Sequence, residues 1–256
     1  MSVLDRFHLR GRKAVVTGAG SGIGRAIAIA LAEAGADVAV AGRRRDPLDA
    51  VAREIEALGR RGLAATVDVS DEASVGVFRD QVREAFGAVH ILVNNAGVTI
   101  RKPVLEMSLG EWDTVVRTNL TGCFLVSRAF GLMLIEQGWG RVINLSSIRL
   151  HVSSPGLTAY ASSKGGIVPF TKTLALEWAQ HGITANVIAP GYVDTPLVEY
   201  VKGLPQVYED SLRPIPMGRW GRPEEVAQVA VFLASEASGY ITGQVVIVDG
   251  GRLAWS

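Results

Sequence analysis

Residues Lys13–Gly35 read KAVVTGAGSGIGRAIAIALAEAG: a short β-branched run, a glycine-rich turn and a long apolar run. The first run fits a buried strand and the last fits a helix packed on that strand, so the segment predicts a strand–turn–helix unit. The same alternation continues to the last run, QVVIVDGG. Seven strands separated by helices predict an α/β fold, a doubly wound seven-stranded parallel sheet with helices on both faces.

Three of the later helices are predicted from apolar residues at helical spacing, at about 71–86, 108–137 and 223–235. One stretch, 191–223, interrupts the alternation with five prolines. Long segments outside the regular elements are usually lids or binding loops, and this one follows a strand end, where open α/β sheets bind ligands. We therefore predict a single domain over 1–256 with a substrate lid at about 191–223; a purely structural excursion is the alternative.

The charge balance gives no sign of a polyanionic partner. The 256 residues carry 26 basic and 25 acidic side chains, a formal net charge of +1, so we expect neither nucleic acid nor a membrane as partner. The N-terminal residues MSVLDRFHLRGRKAVV lack the apolar run of a signal peptide, which predicts a cytoplasmic protein. Cys123 is the only cysteine, and no cluster has metal-ligand spacing, so we expect a buried structural thiol and no metal site.

The turn TGAGSGIG, Thr17–Gly24, lies between the first strand and the first helix. Gly18, Gly22 and Gly24 allow a tight turn, close approach of the backbone to a pyrophosphate, and close packing of helix on strand. The helix N-terminus offers unpaired N–H groups to an anion. The turn therefore predicts a dinucleotide site, although its spacing differs from GxGxxG; a merely tight turn is the alternative.

The second strand ends in AVAGRRR, with Gly42 followed by Arg43, Arg44 and Arg45. In a dinucleotide-binding fold this point meets the adenosine ribose, where a carboxylate would bind a free 2′-hydroxyl and repel a 2′-phosphate. Arginines stand there instead, which favours NADP(H) as cofactor. NAD(H) stays open as the alternative, because Gly42 permits either ribose and the arginines could form a solvated helix entrance.

Tyr160 and Lys164 stand four residues apart in AYASSK, Ala159–Lys164. In a helix that spacing puts both side chains on one face. The ammonium would favour the phenolate and lower the pKa of Tyr160, so that the phenol could exchange protons near neutral pH. For a lone YxxxK pattern, an ordinary surface pair is the alternative.

These motifs occur together with NNAG at 94–97, Asn119 in RTNLTG, Ser147 at the end of INLSS, and APGYVDT after the sixth strand. In this order the chain resembles the short-chain dehydrogenase/reductase family over essentially its whole length. The resemblance implies a Rossmann-type fold and a catalytic tetrad of Asn119, Ser147, Tyr160 and Lys164. Together with Arg43, it implies a cofactor site formed by Gly18, Ser21, Gly22, Ile23, Gly24, Asp68, Val69, Asn94, Ala96, Gly97, Tyr160, Lys164, Pro190, Gly191, Val193 and Thr195.

The resemblance also implies a role for each member of the tetrad. Tyr160 would donate the proton to the carbonyl in reduction and accept the hydroxyl proton in oxidation. Lys164 would lower the pKa of Tyr160 and hold the nicotinamide ribose, Ser147 would hydrogen-bond the substrate oxygen, and Asn119 would keep a water in line with Lys164. The implied activity is an oxidoreductase that interconverts a secondary alcohol and a ketone. A non-catalytic nucleotide-binding module, the remote alternative, has no need of all four residues.

The expected substrate is a small molecule. NNAGVTIRKPVLEMSLGEWD, PMGRWGRPEEV and VDGGRLAW are similar to the branch of the family that contains gluconate 5-dehydrogenases and other sugar-acid dehydrogenases. The 3-oxoacyl-[acyl-carrier-protein] reductases and general carbonyl reductases are the alternative, because the same scaffold serves all of them. Arg149 is predicted to hold a substrate carboxylate, with His151 and Tyr192 as further substrate contacts; an arginine facing solvent is the alternative. The resemblance further implies a homotetramer built on paired long helices and the C-terminal strand.

Overall fold

The computed structural model describes residues 2–196 and 198–254. Its strands are β1 (Lys13–Thr17), β2 (Asp37–Gly42), β3 (Gly62–Thr66), β4 (Ile91–Asn94), β5 (Gly140–Leu145), β6 (Ile183–Pro190) and β7 (Val245–Val248). They form one parallel sheet in the order β3-β2-β1-β4-β5-β6-β7. The order reverses between β1 and β4, which opens the crevice where doubly wound sheets bind ligands. The predicted seven-stranded parallel sheet is confirmed.

Helices cover both faces of this sheet. They are α1 (Gly22–Glu33), α2 (Arg45–Ala57), α3 (Glu72–Phe86), α4 (Leu109–Val116), α5 (Gly122–Ile135), α6 (Thr158–Trp178), α7 (Glu199–Lys202), α8 (Pro205–Leu212) and α9 (Pro223–Ala234). One apolar core lies under α1, α2 and α9, and a second lies under α3, α5 and α6. Alternate strand residues supply the two cores: Val16 belongs to the first and Val15 to the second. This period of two explains why the strands read as continuous apolar runs.

Local capping chemistry explains where two of the predicted helices begin. Asp71 accepts hydrogen bonds from the first turn of α3, and Ser108 forms a capping box with Glu111 at the start of α4. The predicted helical region at 108–137 is one run, Leu109–Ile135, in which a π-helical turn, Arg117–Thr121, joins α4 to α5. Such widened turns occur often at functional sites, and this one carries Asn119.

The helical run Leu109–Ile135 is apolar and long enough to cross a membrane, with a mean hydropathy of 1.4 over its most apolar window. In this structure 56% of that window is buried. The run packs against the sheet and α6, so its apolar character is accounted for by the second core. Within it Cys123 is buried, as expected, and burial raises the pKa of its thiol to about 12.

The segment 191–223 folds beside the carboxyl end of β6. It contains α7 and α8, and an isolated β-bridge joins Val193 near its start to Gly221 near its end. Val201, Ile215 and Trp220 are buried in a third, smaller apolar cluster that is separate from the two sheet cores. The segment therefore has packing of its own; its function as a lid stays a prediction.

Candidate active site

Three consecutive residues at the end of β5 fix helix α6 against the sheet. The Asn144 amide donates to Thr171 Oγ1 at 2.8 Å, and Lys164 Nζ donates to the Leu145 carbonyl at 2.6 Å. The Ser146 hydroxyl donates to the backbone carbonyl of Lys164 at 2.7 Å. All of these groups are buried, where each lost hydrogen bond is costly, so the register of α6 on β5 is firmly set. That register brings Tyr160 next to Ser147.

Tyr160 and Lys164 share one face of α6, as their spacing predicts. Lys164 Nζ lies 5.8 Å from the centre of the Tyr160 ring. The prediction that Lys164 lowers the pKa of Tyr160 is wrong for this structure: burial raises that pKa, and a hydrogen bond with Ser147 and the charge of Arg149 offset the rise only in part. Burial also lowers the pKa of Lys164 to about 8, because its ammonium is removed from water. Desolvation is thus the largest cause of the pKa shift of each side chain.

Asn119 connects the loop after β4 to α6. Its Oδ1 accepts from Val98 N at 2.8 Å, and its Nδ2 donates to Val98 O and to Ser163 Oγ, each at 3.0 Å. Both amide hydrogens are thus engaged by the protein. A water near Lys164 could bind only the second lone pair of Oδ1 or the backbone, so the predicted water-holding role stays a prediction.

A groove lies over the glycine turn. Of the predicted cofactor residues, it is lined by Gly18, Ser21, Arg43, Asp68, Val69, Ala96 and Gly97. Gly18 has φ +66°, and a Cβ there would lie 2.8 Å from Asn95 Nδ2, so the backbone passes where a side chain would not fit. The Ser21 side chain caps no N–H group of α1. The first turn of this helix therefore keeps free donors for a phosphate.

Gly22 and Gly24 serve packing at the same turn. Gly22 has φ +55°, and a Cβ there would lie 3.2 Å from Thr195 Cγ2. A Cβ on Gly24 would lie 2.3 Å from both Asn95 Nδ2 and the Gly18 carbonyl oxygen, which excludes any larger residue without movement of the backbone. These contacts agree with the predicted close packing of helix on strand.

The ribose end of the groove is basic. Arg43 and Arg44 line it, whereas Arg45 points away and pairs with Asp49 at 2.8 Å. Asp68 lies nearby: hydrogen bonds from Ser70 and the charge of Arg43 hold the pKa of its carboxyl below the usual value. Two of the three arginines in AVAGRRR thus remain at the groove.

A second cleft opens beside Tyr160. The predicted residues that line it are Ile23, Ser147, Arg149, Tyr160, Pro190, Gly191, Tyr192, Val193 and Thr195. Arg149 is partly buried, and its guanidinium donates to Ser154 Oγ at 2.7 Å and to the Tyr192 hydroxyl at 3.1 Å. Two of the four predicted catalytic residues and a basic residue therefore meet in one cleft.

Four predicted site residues have side chains that line neither cleft: Asn94, Asn119, His151 and Lys164. Asn119 and Lys164 are buried, with the hydrogen bonds given above. The Asn94 amide faces the interior, where it donates to Ser127 Oγ at 2.9 Å and Asn144 Oδ1 at 2.8 Å. His151 is exposed and does not line the cleft that contains Arg149, because the 3₁₀ turn that follows Ser147 carries it outward. The sequence-based prediction that His151 contacts the substrate is therefore corrected, because its side chain does not line this cleft.

The sequence reasoning missed other lining residues, chiefly Thr99, Leu157, Val198, Val201 and Val207. Thr99 Oγ1 is buried and has no hydrogen-bond partner among the described residues. Its position two residues after NNAG, at the ligand end of β4, is the signal that could have identified it. The valines belong to the segment 191–223, whose fold has no simple period in the sequence.

Comparison with known proteins decides the family. A family model described as enoyl-(acyl carrier protein) reductase matches residues 18–252. Gluconate 5-dehydrogenase of Gluconobacter oxydans is 38% identical over 251 residues, which cover 98% of each chain. The chain belongs to the short-chain dehydrogenase/reductase family. As a member of this family it is an oxidoreductase that acts on CH–OH groups, which confirms the predicted enzyme class.

Two further members of the short-chain dehydrogenase/reductase family bear on cofactor and substrate. A gluconate 5-dehydrogenase from Burkholderia cenocepacia, whose structure is in complex with NADP and tartrate, superposes with a TM-score of 0.95 at 37% identity over 99% of both chains. A 3-oxoacyl-[acyl-carrier-protein] reductase of Thermotoga maritima is 39% identical over 244 residues, covering 95% of this chain and 98% of the relative. A nicotinamide dinucleotide is the cofactor type that this similarity supports.

Proposed function

We propose that this protein is an NADP(H)-dependent dehydrogenase of a sugar acid, interconverting a secondary alcohol and a ketone in a substrate such as gluconate and 5-ketogluconate. One observation carries the proposal. The described residues that line the cleft beside Tyr160 include two arginines, Arg101 and Arg149, and no carboxylate. A cleft with uncompensated positive charge attracts an anionic substrate.

Arg149 is suited to hold a carboxylate. Its described hydrogen-bond partners are neutral hydroxyls, and no ion pair with an acidic side chain is formed among the residues that the structure describes. A guanidinium has five N–H donors in a planar fork, and two of these bonds leave donors for a bidentate carboxylate. The Burkholderia relative was crystallised with tartrate, a hydroxy acid with two carboxylates, which agrees with an anionic ligand.

Thr99 offers the cleft a polar contact. Its buried hydroxyl has no hydrogen-bond partner among the described residues, and a ligand with a suitable oxygen would supply one. The hydroxyls of a sugar acid and the carbonyl oxygens of a 3-oxoacyl thioester can both do so, so Thr99 does not distinguish the two candidate substrates.

The second candidate function is reduction of a 3-oxoacyl thioester. Apolar side chains of Ile148, Leu157, Val198, Val201 and Val207 also line the cleft, and an acyl chain could pack against them. This candidate does not use the charge of Arg149 close to the reacting carbonyl. We rank it second for that reason.

Tyr160 and Ser147 would carry out the proton chemistry of reduction. Bound NADPH would supply the hydride. The Ser147 hydroxyl would donate a hydrogen bond to the carbonyl oxygen as charge develops on it, and the Tyr160 phenol would transfer its proton there. The raised pKa of Tyr160 keeps the phenol protonated at neutral pH, which is the form that reduction requires. Lys164, held by Leu145, would hydrogen-bond the nicotinamide ribose.

We further propose that the protein assembles as a homotetramer. Phe124 and Leu132 on α5, Leu176 on α6 and Ile247 on β7 are large apolar side chains exposed on the chain surface. Obligate subunit interfaces are rich in apolar side chains, and these lie on two long helices and an edge strand. Sedimentation velocity of the purified protein would test this proposal, and a monomer at micromolar concentration would contradict it.

Arg43→Ala is expected to reduce the preference for NADP(H) over NAD(H). Losing a hydrogen bond to a charged phosphate costs about 1.5–3 kcal/mol, or roughly 10- to 150-fold in the ratio of the two kcat/KM values. Arg45→Ala is the matched control, because Arg45 is only two positions away in the sequence but pairs with Asp49. Steady-state kinetics with both cofactors measures the ratio. A parent enzyme that prefers NAD(H) would refute the assignment of Arg43.

Arg149→Ala is expected to raise KM for 5-ketogluconate about tenfold or more, with little change in kcat, because a remote carboxylate is bound equally in the ground and transition states. The measurement is NADPH oxidation with a panel of keto-sugar acids, simple ketones and 3-oxoacyl thioesters. Arg213→Ala, on the exposed surface, is the control. Preference of the parent for thioesters, unchanged by Arg149→Ala, would refute the sugar-acid proposal and leave the enzyme class intact.

A further inference from the structure

Trp220 is a buried member of the small apolar cluster that segment 191–223 forms. It is 5% exposed, and its indole stacks on the Tyr192 ring with centroids 5.4 Å apart and an interplanar angle of 13°. Tyr208 of α8 meets the same indole edge-on at 4.9 Å. The indole N–H donates to Ser211 Oγ, also in α8, at 2.8 Å. Stacking, edge contact and a hydrogen bond together leave this ring little rotational freedom.

Tyr192 links Trp220 to Arg149, which lines the cleft. One face of its ring is covered by Trp220, and its hydroxyl accepts a hydrogen bond from Arg149 Nη2 at 3.1 Å. The Arg149 guanidinium carbon also lies 5.7 Å from the Tyr192 ring centre, within cation–π range. On its other side Arg149 Nη1 donates to Ser154 Oγ at 2.7 Å. The guanidinium is therefore held from two sides by groups that carry no charge.

The restriction of Arg149 by Tyr192 and Ser154 changes the free energy of binding an anion. An arginine side chain loses much of its rotamer entropy when a ligand immobilises it. Because Tyr192 and Ser154 already restrict Arg149 in the folded protein, a carboxylate that binds it meets less of this cost. Neutral hydroxyls restrict the side chain without cancelling its charge, which a carboxylate partner would do.

We propose that Tyr192 and Trp220 are positioning residues that hold Arg149 for the carboxylate of the substrate, so that the folded segment 191–223 sets the preference for acids over neutral ketoses. The inference rests on the proposed sugar-acid function and adds the residues that determine its selectivity. Tyr192, predicted from the sequence as a direct substrate contact, acts in this account through Arg149. Trp220 lies behind it and serves to fix its ring.

The test compares 5-ketogluconate with L-sorbose, which carries a hydroxymethyl group in place of the carboxylate. Tyr192→Phe removes the hydroxyl and keeps the ring that stacks on Trp220. We expect the ratio of kcat/KM for the acid over the ketose to fall about tenfold, through KM and not kcat, with the L-sorbose value unchanged. Tyr240→Phe, at a fully exposed tyrosine, is the matched control.

A double-mutant cycle separates positioning from direct contact. If Tyr192 acts through Arg149, Tyr192→Phe has no further effect on the ratio in the Arg149→Ala background. Trp220→Phe, which keeps an aromatic ring but loses the bond to Ser211, should lower the ratio in the same direction while the protein stays folded by circular dichroism. A further loss in the Arg149→Ala background, or an equal loss for both substrates, would overturn the proposal. A parent enzyme that reduces L-sorbose as well as 5-ketogluconate would instead refute the sugar-acid function itself, before any variant is compared.

Discussion

Tyr160→Phe is expected to lower kcat by at least about 100-fold and to leave the dissociation constant of NADPH nearly unchanged. The phenol is the only proton donor proposed for the carbonyl oxygen, and removing a general acid costs on this scale. The ring itself stays, so packing in the cleft and the register of α6 on β5 are preserved. Turnover is measured by NADPH oxidation, and affinity is measured by fluorescence titration of NADPH.

Two controls make this result specific. Tyr240→Phe, on the fully exposed surface, should keep parental turnover. The thermal midpoint of Tyr160→Phe should stay close to that of the parent, because only a hydroxyl is lost. Parental turnover in Tyr160→Phe would show that another group protonates the substrate oxygen.

Lys164→Met is expected to lower kcat/KM by at least about 100-fold and, unlike Tyr160→Phe, to weaken NADPH binding as well, because its ammonium is proposed to hold the nicotinamide ribose and so to orient the hydride donor. Methionine nearly matches the length of lysine and removes only the charged donor to Leu145. Lys172→Met, at an exposed position on the same helix, is the matched control. Loss of activity with unchanged NADPH affinity would contradict the ribose contact.

The same lysine predicts a pH dependence. Its pKa is lowered to about 8, so the ammonium is present below that pH and is lost as the pH rises through it. The kcat/KM for reduction, which reports groups of the free enzyme, should therefore fall above about pH 8. This limb should be absent from the residual activity of Lys164→Met. A flat parental profile from pH 7 to 10 would contradict the assignment.

The sequence was sufficient for the features that depend on local patterns. Strands buried on both faces give continuous apolar runs, so the sheet was predictable, and apolar residues at helical spacing gave the approximate starts of the helices at 71 and 108. The spacing of Tyr160 and Lys164 placed both on one face because a helix has a fixed period. Such features need no knowledge of what lies on the other side of the cleft.

Other features depend on contacts between distant segments, and here the sequence was insufficient. The pKa of Tyr160 is set by desolvation, which the YxxxK spacing does not contain. The π-helical turn at Asn119 lies within an apolar pattern that reads as one regular helix. The contact between Arg149 and Tyr192 joins residues 43 positions apart. The sequence does not distinguish Arg45 from Arg43 as a cofactor contact, whereas in the structure Arg45 pairs with Asp49 in the same helix.

The most direct test of the proposed activity is the product formed from gluconate and NADP⁺ by the purified protein. The absorbance of NADPH measures how much cofactor is reduced. In the same reaction, ¹³C nuclear magnetic resonance identifies which carbon becomes the carbonyl. We predict one NADPH for each ketone formed, with the ketone at C5, and no ketone in a parallel sample of Tyr160→Phe over the same time. NADPH formation without a keto acid, or no reaction with gluconate from an enzyme that reduces acetoacetyl thioesters, would contradict the account.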